Sequence, residues 1–291
     1  MRFSLVVATL GRDAEVGELL DSLLAQGRSD FEVIIVDQND DDRLGAIEAA
    51  YAPRIALRRL RSSVHNANHA RNLGLRHARG AIVTFPDDDC LYPPGVLDRV
   101  DAAFMGDATL AVLTGPAASP DGGLGSGRWR DASGPIDLVT VWTSVIEFNI
   151  FLRRDAALAL GGFDEGMGPG SPFGSAEGND LVCRAMARGL RAQYDHALRI
   201  IHPDKRLSDV AIERAERYGR GLGFALRRNG APLSMRMTFL VRPLGGVAAS
   251  LLRGRMHDAG YYGMTFRGRL AGMLAPEARR PAAIAPLTEA A

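Results

Sequence analysis

Three adjacent carboxylates follow a short apolar segment, and they are the residues of this chain best suited to chemistry. The apolar segment is residues 81–85, and Asp87, Asp88 and Asp89 come directly after the next proline. Three charges at the end of a buried strand repel one another and are costly to desolvate, so a bound cation would stabilise them. Carboxylate oxygens suit Mg²⁺ or Mn²⁺, which can in turn hold a diphosphate. The alternative is a solvated acidic turn, but the apolar strand and the Pro-Pro turn that flank the cluster favour a metal site.

The elements that must position these acids are typical of an α/β domain. The apolar segment Phe3–Thr9 predicts a strand that is covered on both faces, and residues 32–37 predict a second such strand. Between them, apolar residues recur at helical spacing: Val16, Leu19, Leu20, Leu23 and Leu24. Strand, helix and strand at this spacing predict a parallel crossover, and open parallel sheets bind ligands beyond the carboxyl ends of their strands. Thr9, Asp37 and the three acids all lie at such ends.

Six short segments then occur in a fixed order between residues 3 and 206. They are residues 6–12, 36–40, 70–74, 87–89, 161–165 and 174–181. Each segment alone is a weak signal, but the ordered set resembles the family-2 glycosyltransferases, most closely the bacterial enzymes of surface or exported polysaccharide assembly. The resemblance implies the A-type glycosyltransferase fold, a Rossmann-like and mostly parallel central sheet with helices on both faces. Here a helical C-terminal extension would follow it.

The resemblance also implies roles at the nucleotide. Asp37 would accept the ring N–H of uracil or thymine, and a guanine N–H fits almost as well. Thr9 would help through its hydroxyl, and Arg71 by stacking or by a phosphate contact. Asp88 would reach the ribose. The expected donor is therefore a UDP-, dTDP- or GDP-linked sugar.

The same resemblance places Asp87 and Asp89 on the metal side of the acidic cluster. His202 follows an apolar strand, and the family often places a histidine there, facing the diphosphate or the metal. Lys205 would add a charge to the same phosphates. A bound Mn²⁺ or Mg²⁺ would bridge the two phosphates and stabilise the leaving nucleoside diphosphate. The alternative for His202 is a purely structural histidine.

The general base is less clear from the sequence. An inverting transfer needs a carboxylate that takes the proton of the acceptor hydroxyl, and the family's usual base position is occupied here by Gly178. Either Glu177 or Asp180 takes over, or the chain is inactive. Asp180 has an alternative role as a helix N-cap, whereas Glu177 is expected on a mobile loop over the site, so we favour Glu177. Asp164 lies in a recognisable motif of the acceptor region. Further candidates for the acceptor pocket are Trp142, Glu147 and Asn149.

Composition favours a soluble enzyme. The chain has 291 residues, of which 46% are hydrophobic and 24% charged, and only two are cysteines. We expect a reducing, cytoplasmic location, because we find neither a signal peptide nor an apolar segment long enough to span a membrane. The expected units are a catalytic domain over residues 1–206 (nucleotide half 1–115, acceptor half 116–206), a helical extension over 207–275 and a disordered tail over 276–291.

The charges are distributed unevenly. Residues 1–198 carry 19 basic and 27 acidic side chains, whereas residues 199–291 carry 16 basic and 7 acidic ones. This asymmetry suggests an anionic partner, and the absence of a nucleic-acid-binding motif argues against nucleic acid. An apolar helical pattern over 239–252 predicts either an interfacial helix on an anionic membrane or a helical hairpin packed on the domain. The flanking basic residues are Arg253, Arg255, Arg267 and Arg269.

The sequence thus predicts an inverting, metal-dependent glycosyltransferase that acts on a saccharide or lipid-linked acceptor in polysaccharide assembly. Two alternatives remain open. A sugar nucleotidyltransferase would share the fold but would need a phosphate-binding loop after the first strand, which residues 10–13 match poorly. A non-catalytic nucleotide-sugar-binding protein is the other alternative, and Gly178 is the residue that supports it.

Overall fold

The computed structural model describes residues 1–125, 127–203 and 209–287, so Lys205 lies outside the described residues. The strands within this part are β1 Phe3–Thr9, β2 Phe31–Asp37, β3 Ala56–Arg61, β4 Ile82–Thr84, β5 Leu110–Thr114, β6 Ala117–Ala118, β7 Gly134–Pro135, β8 Ile150–Arg153, β9 Arg191–Tyr194 and β10 Ile200–Ile201. The helices are α1 Ala14–Leu24, α2 Gly45–Tyr51, α3 Ala67–His77, α4 Val96–Gly106, α5 Arg154–Leu160, α6 Glu177–Ala187, α7 Asp209–Arg228, α8 Leu233–Leu252 and α9 Met256–Leu274.

Eight strands form one central sheet in the order β3-β2-β1-β4-β8-β5-β9-β7. The pairs β3-β2, β2-β1, β1-β4 and β5-β9 are parallel, which confirms the predicted mostly parallel sheet. Strand β8 is antiparallel to both of its neighbours, β4 and β5. A separate two-stranded sheet pairs β10 with β6.

Both faces of the sheet are covered, as the continuous apolar strands predict. Alternate residues of a strand point to opposite faces, and the two faces here belong to two different core clusters. Val7 and Ile35 pack in one cluster with α1 and α4, whereas Val6 and Ile34 pack in the other with α3, α5 and α6. The predicted amphipathic helix is α1, whose residues Val16, Leu19, Leu20 and Leu23 are buried.

The helical extension is a packed three-helix unit. Helix α9 packs along α7, and α8 packs on α9. Glycines allow the close approach of α7 and α9: a Cβ at Gly223 on α7, or at Gly268 or Gly272 on α9, would lie under 3.0 Å from backbone oxygens of the facing helix. No described helix has the length and apolar character needed to cross a bilayer.

The segment that follows α9 returns to the catalytic domain. Ile284 packs in the core cluster under α5 and donates a backbone hydrogen bond to Leu158, and Leu287 donates one to Arg76 at the end of α3. The sequence predicts disorder for residues 276–291, and residues 276–287 form no helix or strand. The segment is also hydrogen-bonded to the end of α7, through Arg279 and Arg280 to Arg228 and Asn229, and its Ala/Pro composition does not reveal these contacts.

Candidate functional site

A cavity of about 840 Å³ opens at the carboxyl edge of the sheet, where β1, β4 and β5 end. The three acids after β4 line it, as the strand-end argument predicts. Its opposite wall comes from α7 and α9, through residues such as Arg214, Tyr218 and Tyr261. The long segment between β6 and β7 also reaches the cavity through Arg128 and Trp129. The extension is therefore part of the site.

Two arginines neutralise part of the acidic cluster. Arg12, in the turn after β1, forms ion pairs with Asp88 and with Asp89, the latter at 2.8 Å. Arg71 on α3 forms an ion pair of 2.7 Å with Asp87. Burial raises the pKa of Asp88, although the charge of Arg12 opposes this. The mutual repulsion of the three acids is therefore met in part by the protein itself.

Asp87, Asp89 and His202 nevertheless converge on one point. One ligand atom from each lies within 4.8 Å of the others, and His202 Nε2 is 3.4 Å from Asp89 Oδ1. The His202 ring stacks on Phe148 at a centroid distance of 4.7 Å, and its Nδ1 lies 2.7 Å from the carbonyl oxygen of Pro203. Because a carbonyl can only accept, Nδ1 carries a proton, and in neutral imidazole Nε2 then presents its lone pair to the acids.

The chemistry of this trio fits a divalent cation. Asp89 Oδ1 is buried and accepts no hydrogen bond from the described residues. A buried carboxylate oxygen that accepts no hydrogen bond is costly, and this one lies 3.4 Å from His202 Nε2. Two carboxylates and one imidazole suit Mn²⁺, and Mg²⁺ with water ligands is also compatible.

Arg71 connects the acidic cluster to the catalytic-loop glutamate. Its Nη1 lies 3.5 Å from Glu177 Oε1, and it donates to Asn68 Oδ1 at 2.9 Å. Helix α3 lies close to β1 because Gly74 has no side chain: a Cβ there would meet Val6 at under 3.0 Å. Arg71 is 3% exposed, so its charge acts in a poorly solvated environment between carboxylates.

Glu177 is not on a mobile loop, contrary to the expectation from the sequence. It is the first residue of α6, it is 2% exposed, and it lines the cavity. Burial is the main cause that raises its pKa to about 8, with the charge of Glu147 second and that of Arg71 opposing. Ala176 before it adopts φ +66°, a left-handed conformation that is unfavourable for alanine, and it turns the chain into the helix.

Two acids predicted for the site are turned away from it. Asp180 lies inside α6, fully buried, with hydrogen bonds from Arg184 at 2.8 Å and Asn229 at 3.0 Å. It is not the N-cap, which is Ala176. Asp164 forms an ion pair with Arg228 of α7. Neither side chain is among those lining the cavity, so both hold the α6 and α7 region together.

The nucleotide end also differs in detail from the expectation. Asp37 is fully buried and accepts hydrogen bonds from Arg59, Arg61 and Asn39. Burial alone would raise the pKa of Asp37, but these hydrogen bonds outweigh it and lower the pKa. Thr9 is 1% exposed beside it. Neither lines the cavity, whereas the next residue, Gln38, does.

Sequence reasoning missed several partners. The ion pairs of Arg12 with the acids and of Arg59 with Asp37 were not expected, although Arg12 ends the first matched segment. Of the three further candidates for the acceptor pocket, Glu147 lines the cavity from a short 3₁₀ turn before β8, Trp142 lines it too, and Asn149 does not. Cys90 is fully buried, and burial raises the pKa of its thiol well above the usual value, which argues against a nucleophilic role.

Residues 4–157 match the family described as Glycosyl transferase family 2. A protein of Bacillus subtilis, "Uncharacterized glycosyltransferase EpsJ", is 39% identical over 101 residues, which are 33% of this chain and 28% of that protein. A protein of Haemophilus influenzae, also an "Uncharacterized glycosyltransferase", is 36% identical over 97 residues. The chain thus spans about a third of the length of these curated relatives.

Solved structures resemble the chain over most of its length. A mannosyltransferase of Pyrobaculum calidifontis in complex with GDP-Man and Mn²⁺ superposes with a TM-score of 0.67 at 18% identity, covering 94% of this chain and 87% of that one. Residues 1–349 of S. aureus TarS in complex with UDP-GlcNAc give a TM-score of 0.61 at 18% identity, covering 91% and 90%. At this identity the likeness shows the fold.

Proposed function

The chain belongs to glycosyl transferase family 2, and from this membership we propose that it transfers a sugar from a nucleoside-diphosphate sugar to a saccharide or lipid-linked acceptor. The proposed transfer inverts the anomeric carbon and depends on Mn²⁺ or Mg²⁺. The observation that carries the proposal is the convergence of Asp87, Asp89 and His202 beside a cavity, with one buried Asp89 oxygen that has no donor among the described residues. The structural neighbours with UDP-GlcNAc, or with GDP-Man and Mn²⁺, support it.

The residues of the cavity suggest a division of work. Asp87, Asp89 and His202 would hold the cation, which supplies positive charge to the leaving diphosphate. Asp88 would accept hydrogen bonds from the ribose hydroxyls and would give up part of its contact with Arg12. Gln38, beside the buried Asp37, lines the nucleotide end, and Arg71 fixes the position of Asp87. Asp37 itself would affect binding of the nucleotide base indirectly, by orienting the residues around it.

A carboxylate on the acceptor side must accept the proton of the attacking hydroxyl. Of the two acids expected from the sequence, only Glu177 lines the cavity, where Glu147 is the other glutamate of the lining. The alternative nucleotidyltransferase needs a free basic residue after β1 to hold a triphosphate. Arg12 is that residue here, and it is bound to Asp88 and Asp89. The binding-protein alternative is tested by turnover.

The acceptor side also has a surface suited to a membrane. Five apolar residues on one face of α8 are exposed: Leu233, Met237, Val241, Leu244 and Leu251. We propose that this face contacts the inner surface of an anionic membrane, where a lipid-linked acceptor would lie. Of the arginines expected to assist, Arg253 is exposed, Arg267 pairs with Glu216, and Arg269 is turned inward against Phe239. The apolar face therefore contributes more than the charges.

The metal dependence can be tested by calorimetry. We expect UDP-GlcNAc or GDP-mannose to bind in the presence of Mn²⁺ and to lose at least about tenfold in affinity in EDTA, because the cation would neutralise the diphosphate. His202→Ala should reproduce the effect of EDTA. His196→Ala is the matched control, since His196 hydrogen-bonds to the Arg130 carbonyl outside the cavity. Equal affinity with and without the ion would refute the metal site.

Transfer itself is tested by release of the nucleoside diphosphate. The wild-type protein with Mn²⁺ should hydrolyse its nucleotide sugar slowly, with water as the acceptor. Binding without any release, for every nucleotide sugar and divalent ion tried, would favour a non-catalytic binding protein.

A further inference from the structure

The family's usual base position is empty of a carboxylate at Gly178, and the structure shows what occupies that space. A Cβ built on Gly178 would lie 3.2 Å from both the Cα and the N of Glu147, and 3.0 Å from Cδ1 of Ile150. A side chain at position 178 would therefore point directly at the Glu147 segment. The Cα of Gly178 on α6 and the backbone of Glu147 before β8 therefore lie side by side.

The direction of β8 explains how Glu147 reaches the site. Ile150, the first residue of β8, pairs with Thr114 at the end of β5, and Phe151 pairs with Thr84 at the end of β4. Because β8 is antiparallel to its neighbours, its beginning lies at the edge where theirs finish. The turn that precedes β8 therefore lies beside the strand-end acids. Glu147 lines the cavity, and the adjacent Phe148 stacks on His202.

Exposure separates the two glutamates. Glu177 is 2% exposed and keeps close to Arg71, whereas Glu147 is half-buried in the cavity wall. A base must approach the acceptor oxygen within hydrogen-bond distance, so the more accessible carboxylate is the better placed. The two are near enough that the charge of Glu147 contributes to the raised pKa of Glu177. A carboxyl that stays protonated near neutral pH is poorly suited to accept another proton.

We propose that Glu147 is the general base and replaces the carboxylate that Gly178 lacks. This inference rests on the proposed function. The acceptor hydroxyl gives its proton to Glu147, and its oxygen forms the new bond to the anomeric carbon. The bond from that carbon to the phosphate oxygen breaks, and its electron pair leaves with the nucleoside diphosphate. Glu177 is then a positioning residue, which orients Arg71 and does not take the proton.

The test uses the full chain, Mn²⁺, and UDP-GlcNAc or GDP-mannose, whichever the wild type hydrolyses. Glu147→Gln should lower the hydrolysis rate by at least about a hundredfold, since general-base catalysis contributes that much, while donor affinity by calorimetry changes less than about twofold. Glu147→Asp should retain part of the rate. The matched control is Glu18→Gln on the exposed side of α1, which should leave the rate unchanged.

The pH profile and a double variant, Glu147→Gln with Gly178→Asp, make the outcome decisive. The acidic limb of the rate profile should disappear in Glu147→Gln, and Gly178→Asp should not restore its rate, because that side chain meets the Glu147 backbone. A Glu147→Gln variant that binds donor and keeps at least half of the wild-type rate overturns the assignment. Failure of the wild type to turn over any donor instead overturns the proposed function.

Discussion

Glu177 is the side chain whose ionisation the fold alters most clearly within the cavity. Its pKa is raised to about 8 by burial first and by the charge of Glu147 second. In the unfolded chain the same carboxyl ionises near pH 4.5. Between these two values the unfolded state has released the proton while the folded state still holds it. Raising the pH through this window therefore favours unfolding.

A stability measurement tests this directly. The contribution of Glu177 is fully present below about pH 4.5 and is lost as the pH approaches 8. Glu177→Gln removes this titration, so its urea midpoint relative to wild type should rise between pH 5 and pH 8 in buffer without divalent cations. The matched control is Glu18→Gln, an exposed acid of α1 outside the cavity. Parallel pH curves for wild type and Glu177→Gln would contradict the raised pKa.

For individual residues, the sequence predicted which acids lie close together but not which arginines form ion pairs with the acids. The convergence of Asp87, Asp89 and His202 could be expected because strand ends share an edge and a motif marks them. The ion pairs of Arg12, Arg59 and Arg228 could not, because a long guanidinium reaches partners tens of residues away. Asp37 and Asp164 were both expected to face ligands, but each forms an ion pair with an arginine of the protein itself.

Among the elements, β8 most limited what the sequence could predict. The strand-end rule is a rule about residues that follow parallel strands, and it identified Thr9, Asp37 and the three acids correctly as neighbours. Glu147 precedes an antiparallel strand, so the same rule cannot find it. The strands β1 and β2 and the helix α1 were predictable because burial on one or two faces leaves a regular apolar period.

The contact between α7 and α9 offers a test at the scale of elements. Gly272→Ala would place a Cβ under 3.0 Å from the Arg220 carbonyl oxygen, so the helices must separate. Overpacking of this kind costs about 1–3 kcal/mol, which a urea titration would measure as a lower free energy of unfolding. Because α9 also lines the cavity, donor affinity should fall as well.

Gly263→Ala is the matched control on the same helix. A Cβ there has nothing within 4 Å, so the substitution should stabilise the protein by roughly 0.5–1 kcal/mol through helix propensity alone. Equal effects of the two substitutions would show that the glycines of this interface do not set the spacing of the helices.

On the scale of the whole molecule, the exposed face of α8 lies on the unit that forms the far wall of the cavity. Binding of this face to a membrane would hold the cavity at a fixed distance from the lipid surface. Helix α9 lies between α8 and α7 and lines the cavity itself. Deleting the extension would therefore damage the site, so surface substitutions are the better test of membrane contact.

Liposome flotation should detect this contact. We expect the full chain to float with vesicles rich in anionic lipid and to be released by salt, since each basic residue near the surface contributes about 1 kcal/mol. Val241→Asp with Leu244→Asp should abolish flotation. Met105→Asp, an exposed apolar position on α4, is the matched control and should float like wild type. Unchanged flotation of the double variant would exclude the α8 face.

The return of residues 276–287 to α5 and α3 has a consequence for how the protein is made. During synthesis the nucleotide half emerges first, but the wall supplied by α7 and α9 and the contact of Ile284 under α5 come hundreds of residues after β1. Contacts so distant along the chain form late and slowly. A nascent chain stalled before residue 209 would therefore expose an open, unfinished cavity, and it would depend on chaperones until the rest is synthesised.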